Sequence, residues 1–238
     1  MREPKPVATA LGPKVAGSDA RRGERYFNDA TLCFQQWQSC ATCHSYDGRV
    51  DGLNWDLLND GIGNPKNAKS LVWAHRTPPS MSLGVRASAE VAVRAGIRFS
   101  LFAVPPEEVP AAIDAYLKSL APEPSPYLER GTLSAAAKRG KRLYEDTKIG
   151  CATCHPGPLF TDLKSYDVGT ASRYDKLGAR FDTPALIELW RTAPFLHDGS
   201  AATLREVLDG ASRAGRHGKT SHLNEQQVSD LAAYVLSL

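Results

Sequence analysis

The chain carries the pentapeptide Cys-Ala-Thr-Cys-His twice, at Cys40 to His44 and again at Cys151 to His155. Two cysteines spaced by two residues, with a histidine directly after the second, form the pattern by which c-type haem is attached covalently. The thiols make thioether links to the porphyrin, and the histidine becomes the proximal iron ligand. The duplication therefore implies two covalent haem c groups, attached at Cys40, Cys43, Cys151 and Cys154, with His44 and His155 as proximal ligands. A zinc half-site or a thioredoxin-like dithiol would satisfy the cysteine spacing alone. Neither explains a histidine at the end of both copies, and no βαβ pattern surrounds either one.

The duplication extends beyond the motif, as an internal repeat does when a whole structural unit has been copied. Gly23-Glu24-Arg25-Tyr26-Phe27 precedes the first motif and Gly140-Lys141-Arg142-Leu143-Tyr144 the second. Arg76-Thr77-Pro78-Pro79 and Gly84 correspond to Arg191-Thr192-Ala193-Pro194 and Gly199, each pair 115 positions apart (76 and 191, 84 and 199). The halves close alike, with Ala115-Tyr116-Leu117-Lys118-Ser119-Leu120 and Ala233-Tyr234-Val235-Leu236-Ser237-Leu238. Between them lies a stretch with three prolines, which favours extended backbone. These features divide the chain into a flexible N-terminal segment 1–17, a first unit 18–121, a Pro-rich linker 122–128 and a second unit 129–238.

Val228, Leu231, Ala232 and Val235 recur at helical spacing, and Asn224 with Gln227 forms a capping box, so the pattern predicts a helix over 225–237. A second helix is expected over 107–120 after Pro105-Pro106, and a short one over 204–209 capped by Thr203 with Glu206. Stretches 45–70 and 156–185 are rich in Gly, Asp, Asn and Pro and read as loops wrapped around haem. The fold class expected is mainly α: two tandem cytochrome c-like domains, each enclosing one covalent haem. A haem filling each interior would explain how units of about 100 residues with modest aliphatic content hold together.

The 42% hydrophobic and 23% charged content of the 238 residues is that of an ordinary globular chain. A net charge of +3 gives no footprint for nucleic-acid binding. No apolar run reaches the roughly 18–20 residues of a membrane helix, and Met1 to Pro6 lacks the apolar stretch of a signal peptide. Because haem is normally attached outside the cytoplasm, a periplasmic or cell-surface location is expected, with the export signal, or a larger N-terminal part, removed. Four cysteines serve haem, which leaves Cys33, between Leu32 and Phe34, as a buried inert thiol.

Thr183-Pro184-Ala185-Leu186, then Thr192-Ala193-Pro194-Phe195-Leu196-His197-Asp198-Gly199-Ser200, is similar to the signature after the second haem of the bacterial diheme cytochrome c peroxidase superfamily. That superfamily includes the diheme enzyme that matures methylamine dehydrogenase and the diheme rubber oxygenases. Asp51-Gly52-Leu53 and Gly63-Asn64-Pro65-Lys66-Asn67 match in the first half. Cys33-Phe34-Gln35-Gln36-Trp37 resembles diheme modules of larger bacterial surface proteins with β-propeller repeats. The resemblance implies a peroxide or oxygen site at the first haem and an electron-transfer centre at the second. It also implies calcium between the domains, held by the Asn67 side chain and the carbonyls of Thr192 and Pro194, oxygen ligands suited to a hard cation.

The departures from that family bear on activity. Asn59-Asp60-Gly61-Ile62 stands where classical peroxidases carry a loop histidine, no glutamate among Glu90, Glu107 and Glu108 matches the distal acid, and no methionine lies near Leu208-Asp209-Gly210. For the first iron Met81 is the candidate sixth ligand, with His75 as the alternative ligand; a methionine filling core space is an equal reading of Met81. For the second it is His217, with Gly218 beside it allowing close backbone approach, then His222; His197 reads as structural. Arg76, Arg86 and Arg191 are candidates to pair with haem propionates. Trp190 is either a core aromatic or a residue between the haems, and Trp37, Trp55 and Trp73 are expected in the core. The functional expectation is electron transfer between two haems and a redox partner protein or small donor or acceptor. The alternatives are peroxide or oxygen chemistry at the first haem, or a docking module in a larger assembly.

Overall fold

Ser18 opens the first helix: its hydroxyl accepts the Arg21 N–H at 3.2 Å, the arrangement that satisfies an orphan donor at a helix start. Helix α1 runs Asp19–Asn28, with Asp19 in the first turn and Arg25 in the last, both favourable to the helix dipole. The structure, a computed structural model, describes residues 17–56, 63–210 and 215–238. The expected N-terminal segment, apart from Gly17, and Asn59 to Ile62 lie outside the described residues.

In chain order follow α2 (Cys40–Cys43), the short α3 (Ser45–Gly48), α4 (Ala89–Phe99), α5 (Glu108–Ser119), α6 (Ala135–Glu145), α7 (Cys151–Cys154), α8 (Leu204–Gly210) and α9 (Glu225–Leu236). Two antiparallel pairs of two-residue strands, β1 (Asn54–Trp55) with β2 (Lys66–Asn67) and β3 (Ser165–Tyr166) with β4 (Phe181–Asp182), pin the loops after each haem motif.

Each half is built on a crossing of its first and last helices. A Cβ at Gly23 on α1 would lie 1.8 Å from the Ala112 carbonyl oxygen on α5, and one at Gly140 on α6 1.8 Å from the Asp230 oxygen on α9. Only glycine permits backbones to approach so closely. An aromatic pair closes over each crossing: Phe27 with Tyr116, ring centres 5.3 Å apart, and Tyr144 with Tyr234 at 5.1 Å. The apolar cores draw on separate stretches, one on Phe27, Cys33, Ile97, Ile113 and Leu117, the other on Ala137, Tyr144, Leu204, Leu231 and Val235.

The repeat recurs in backbone detail. Single 3₁₀ turns at Ala74–Arg76 and Leu189–Arg191 lead into isolated bridges Ser80 to Arg86 and Phe195 to Ala201. Met81 and Leu196, again 115 apart, both adopt left-handed backbone, with φ of 76° and 71°.

The capping box at Asn224 and Gln227 is present, and the three helices expected from the pattern fall within two residues of their expected ends. One helix lies where none was expected, and two expectations need correction. Helix α4, capped by Ser88, was not expected, because its sequence mixes Gly96 with β-branched residues. The loop stretches contain β1 to β4. Trp37 is exposed rather than in the core: Gln35 and Gln36, both with φ of 57°, turn the chain so that Cys33 is buried while Phe34 and Trp37 face outward.

Candidate functional site

Each Cys-Ala-Thr-Cys stretch forms one helical turn, α2 entered from Ser39 and α7 from Gly150 at φ 86°. A single turn brings both cysteines and the following histidine to neighbouring positions, which is why the attachment pattern needs this spacing. The four thiols are unpaired. Burial pushes Cys40 up to about 12 and Cys43 and Cys151 up to about 11, with Cys154 raised as well. A redox dithiol needs the opposite shift, toward thiolate. Among the described residues no three His, Cys, Asp or Glu side chains converge as a metal cage, so the two motifs do not form one zinc site.

Both proximal histidines are fixed through Nδ1. That of His44 lies 3.0 Å from the Lys69 carbonyl oxygen, and that of His155 2.9 Å from the Phe160 carbonyl. A carbonyl acceptor fixes the proton on Nδ1 and leaves Nε2 bare for iron. Burial lowers the pKa of both, which keeps them in the neutral, ligating form.

His217 faces His155: the ring centres are 6.4 Å apart, the planes 55° to one another. Two imidazoles bound to opposite sides of one metal, each at about 2.0–2.1 Å, have centres about 6 Å apart, so the gap fits one iron. Burial and the neighbouring His155 push His217 down to about 4, again the neutral form. Its loop is anchored where Lys219 N–H donates to the Ile149 carbonyl at 2.9 Å, two residues before Cys151. His222 is exposed, and His197 is engaged elsewhere, its Nε2 2.9 Å from Asp175 and its ring stacked on Phe181 at 3.9 Å.

Among the described residues of the first half, no imidazole takes the place that His217 has before the last helix of the second. The loop between α4 and α5, residues 100–107, is Ser-Leu-Phe-Ala-Val-Pro-Pro-Glu, with no imidazole or thioether. Met81 occupies the place of Leu196, a side chain that cannot bind metal. The Nε2 of His75 lies 3.4 Å from Asp114 and 3.8 Å from Glu90.

A family model for cytochrome c matches residues 137–238. Hydrazine synthase subunit gamma of Kuenenia stuttgartiensis is 30% identical over 92% of this chain and 77% of its own length. The chain belongs to the bacterial diheme cytochrome c peroxidase superfamily. A methylamine utilization protein MauG, of Methylophilus methylotrophus, is 24% identical over the full chain and 87% of its own length. A solved structure of Kuenenia stuttgartiensis hydrazine synthase superposes with a TM-score of 0.87 and 26% identity, covering 99% of this chain and all of the matched one. As in that superfamily, the prosthetic groups are two covalent haem c.

Asn67 and Pro194, two of the residues for which the resemblance implies calcium, lie where the halves meet. Asn67 is buried, its N–H donates to the His197 carbonyl at 2.8 Å, and its side-chain Nδ2 has no partner. A Cβ at Gly199 would lie 2.9 Å from that Nδ2 and 3.1 Å from Pro194, so Asn67 and Pro194 are neighbours. Arg76 and Arg191 lie over Trp73 and Trp190 at 4.7 and 4.6 Å, and Arg86 over Phe99 at 5.9 Å. Arg191 also reaches Glu123 at 3.2 Å and Glu188 at 3.6 Å. The Nε1 of Trp190 is buried without a partner. Glu90, one of the three glutamates that do not match the distal acid, pairs with Lys118 at 2.9 Å, and that bond leads the effects that hold it at about 2.

Sequence reasoning missed the pair that joins the halves, Arg49 to Glu188, bonded at 3.0 and 2.9 Å. It also missed Asp182, which reaches from the second half to Lys69 at 2.9 Å. The partners stand 139 and 113 residues apart, with no local signal to connect them.

Proposed function

We propose that this chain moves electrons between its two haems and a redox partner, with the second centre closed by His155 and His217 and serving only as a relay. The haems, when bound, supply the reversible iron couple. The reading is carried by the 6.4 Å separation of those two rings, since an iron held by two side chains has no position left for substrate. The residues that orient the ligands, through the Phe160 and Lys69 carbonyls, serve fast exchange by limiting reorganisation on each transfer.

A second reading, an oxidoreductase whose reaction site is the first haem, is favoured by the absence of a His217 counterpart in residues 100–107. One experiment separates the two. If Met81 closes the first iron, the oxidised protein shows two low-spin signals by EPR, and Met81→Ala turns one of them high-spin. A high-spin component already present in the wild type, together with rapid peroxide reduction, overturns the carrier reading in favour of the enzyme.

The similarity to a hydrazine synthase subunit supports work within a larger assembly. Covalent haem attachment supports a periplasmic or cell-surface location. Among the described residues no helix is long and apolar enough to cross a membrane. Calcium at Asn67, Thr192 and Pro194 belongs to the same proposal. Turning the Asn67 amide over would replace its orphaned Nδ2 with an oxygen, the donor a hard cation takes. Metal analysis after exhaustive dialysis is expected to find one calcium per chain, and chelation to lower stability; no calcium and no effect of chelator would remove it.

A further inference from the structure

The two proximal histidines are held in different ways. His155 Nδ1 meets the Phe160 carbonyl, five residues along its own half. His44 Nδ1 meets the Lys69 carbonyl, and the Lys69 side chain is tied to the other half: its Nζ donates to Asp182 Oδ2 at 2.9 Å, a carboxylate only 5% exposed. The backbone N–H of Asp182 donates to the Ser82 carbonyl at 2.9 Å, next to Met81. Asp182 is itself anchored in the second half through its pairing with Ser165 in β3 and β4, and through Thr183, whose carbonyl accepts the Thr161 hydroxyl at 2.7 Å. One residue of the second half thus grips two segments of the first: the one that orients the proximal ligand and the one that carries Met81.

Building on the diheme reading, we propose that Asp182 is a positioning residue for the first haem, so that the reduction potential of the first iron is set in part from the second half. Two effects act in the same direction. The Lys69 tether holds the carbonyl that accepts from His44 Nδ1–H, and the strength of that bond raises ligand basicity, which favours the ferric state. The Asp182 carboxylate also favours the more positive oxidation state of the metal by partly offsetting the charge of the Lys69 ammonium 2.9 Å away, a contribution that the amide of Asp182→Asn removes.

The test is spectroelectrochemical titration of the two haems, resolved by EPR of partly reduced samples. Asp182→Asn keeps the shape and the backbone N–H while removing the charge. It is expected to raise the potential of the first haem and leave the second where it was, with Asp182→Glu staying closer to wild type. Lys69→Met, at a partly exposed side chain with less risk to folding, is expected to move the first potential alone. A first potential unmoved in both Asp182→Asn and Lys69→Met overturns the proposal, as does an equal shift of both haems, the mark of general loosening. A wild type with fewer than two haem additions by intact mass overturns the diheme reading and the proposal with it; two haems and no selective shift overturn the proposal alone.

Discussion

Replacing His217 with alanine is expected to abolish one low-spin signal and turn the second haem high-spin, the largest spectroscopic change from any single substitution outside the attachment motifs. The ring stands 6.4 Å from that of His155 with one metal's width between them, and no other described imidazole is placed to substitute. His222 is exposed and His197 is committed to Asp175, so His222→Ala should leave both spectra unchanged. His217→Met, which exchanges imidazole for thioether, should keep that haem low-spin and raise its potential, since methionine ligation stabilises the ferrous state. Transfer between the haems should slow in the alanine variant, because a centre that has lost one of its two fixed side-chain ligands would reorganise more on each electron transfer. An unchanged low-spin signal in His217→Ala would end the assignment.

Much of this centre was legible in the sequence because its parts are local. The motif fixes two cysteines and a histidine within one helical turn, and the capping box at Asn224 and Gln227 fixes where α9 begins. His217 stood out by its glycine neighbour and ranked ahead of His222, and its burial opposite His155, with His222 exposed, fits that order. Signals that depend on distant chain were not legible. Trp37 is a large aromatic three residues after Phe34 and looks like core, yet two left-handed residues before it turn it outward. The strands are two residues long, too short for alternation to register. Arg49 and Glu188 are ordinary surface types by composition, and only the packing of one half on the other buries them.

That packing leads to the largest expected loss of stability. Arg49 donates to both oxygens of Glu188, at 3.0 and 2.9 Å, and to the carbonyls of Asp47 and Ala121, each at 3.0 Å, while Glu188 also accepts the Glu123 N–H at 2.5 Å. Glu188 is 1% exposed and Arg49 5%. Arg49→Met would strip the buried carboxylate of both bonds from Arg49 and leave only Arg191, 3.6 Å away, as counter-charge; breaking a buried pair in this way costs up to about 3–5 kcal/mol. Replacing both partners with apolar residues should recover much of the loss, because the penalty comes from the unpaired charge rather than from the absence of a bond. The effect should depend on pH with a definite sign. Burial alone would push the Glu188 carboxyl up, but the bonds from Arg49 and Glu123 and the nearby Arg191 outweigh it and hold the group below the usual carboxylate range. A depressed acid contributes stability above its unfolded value, about 4.3, and loses it as pH falls through its folded value. Denaturant unfolding at pH 7 should therefore show the full gap between wild type and Arg49→Met, and the gap should narrow as pH drops below about 4. A gap that stays constant with pH, or one below about 1 kcal/mol at pH 7, would mean that the pair is held no more firmly than an exposed salt bridge.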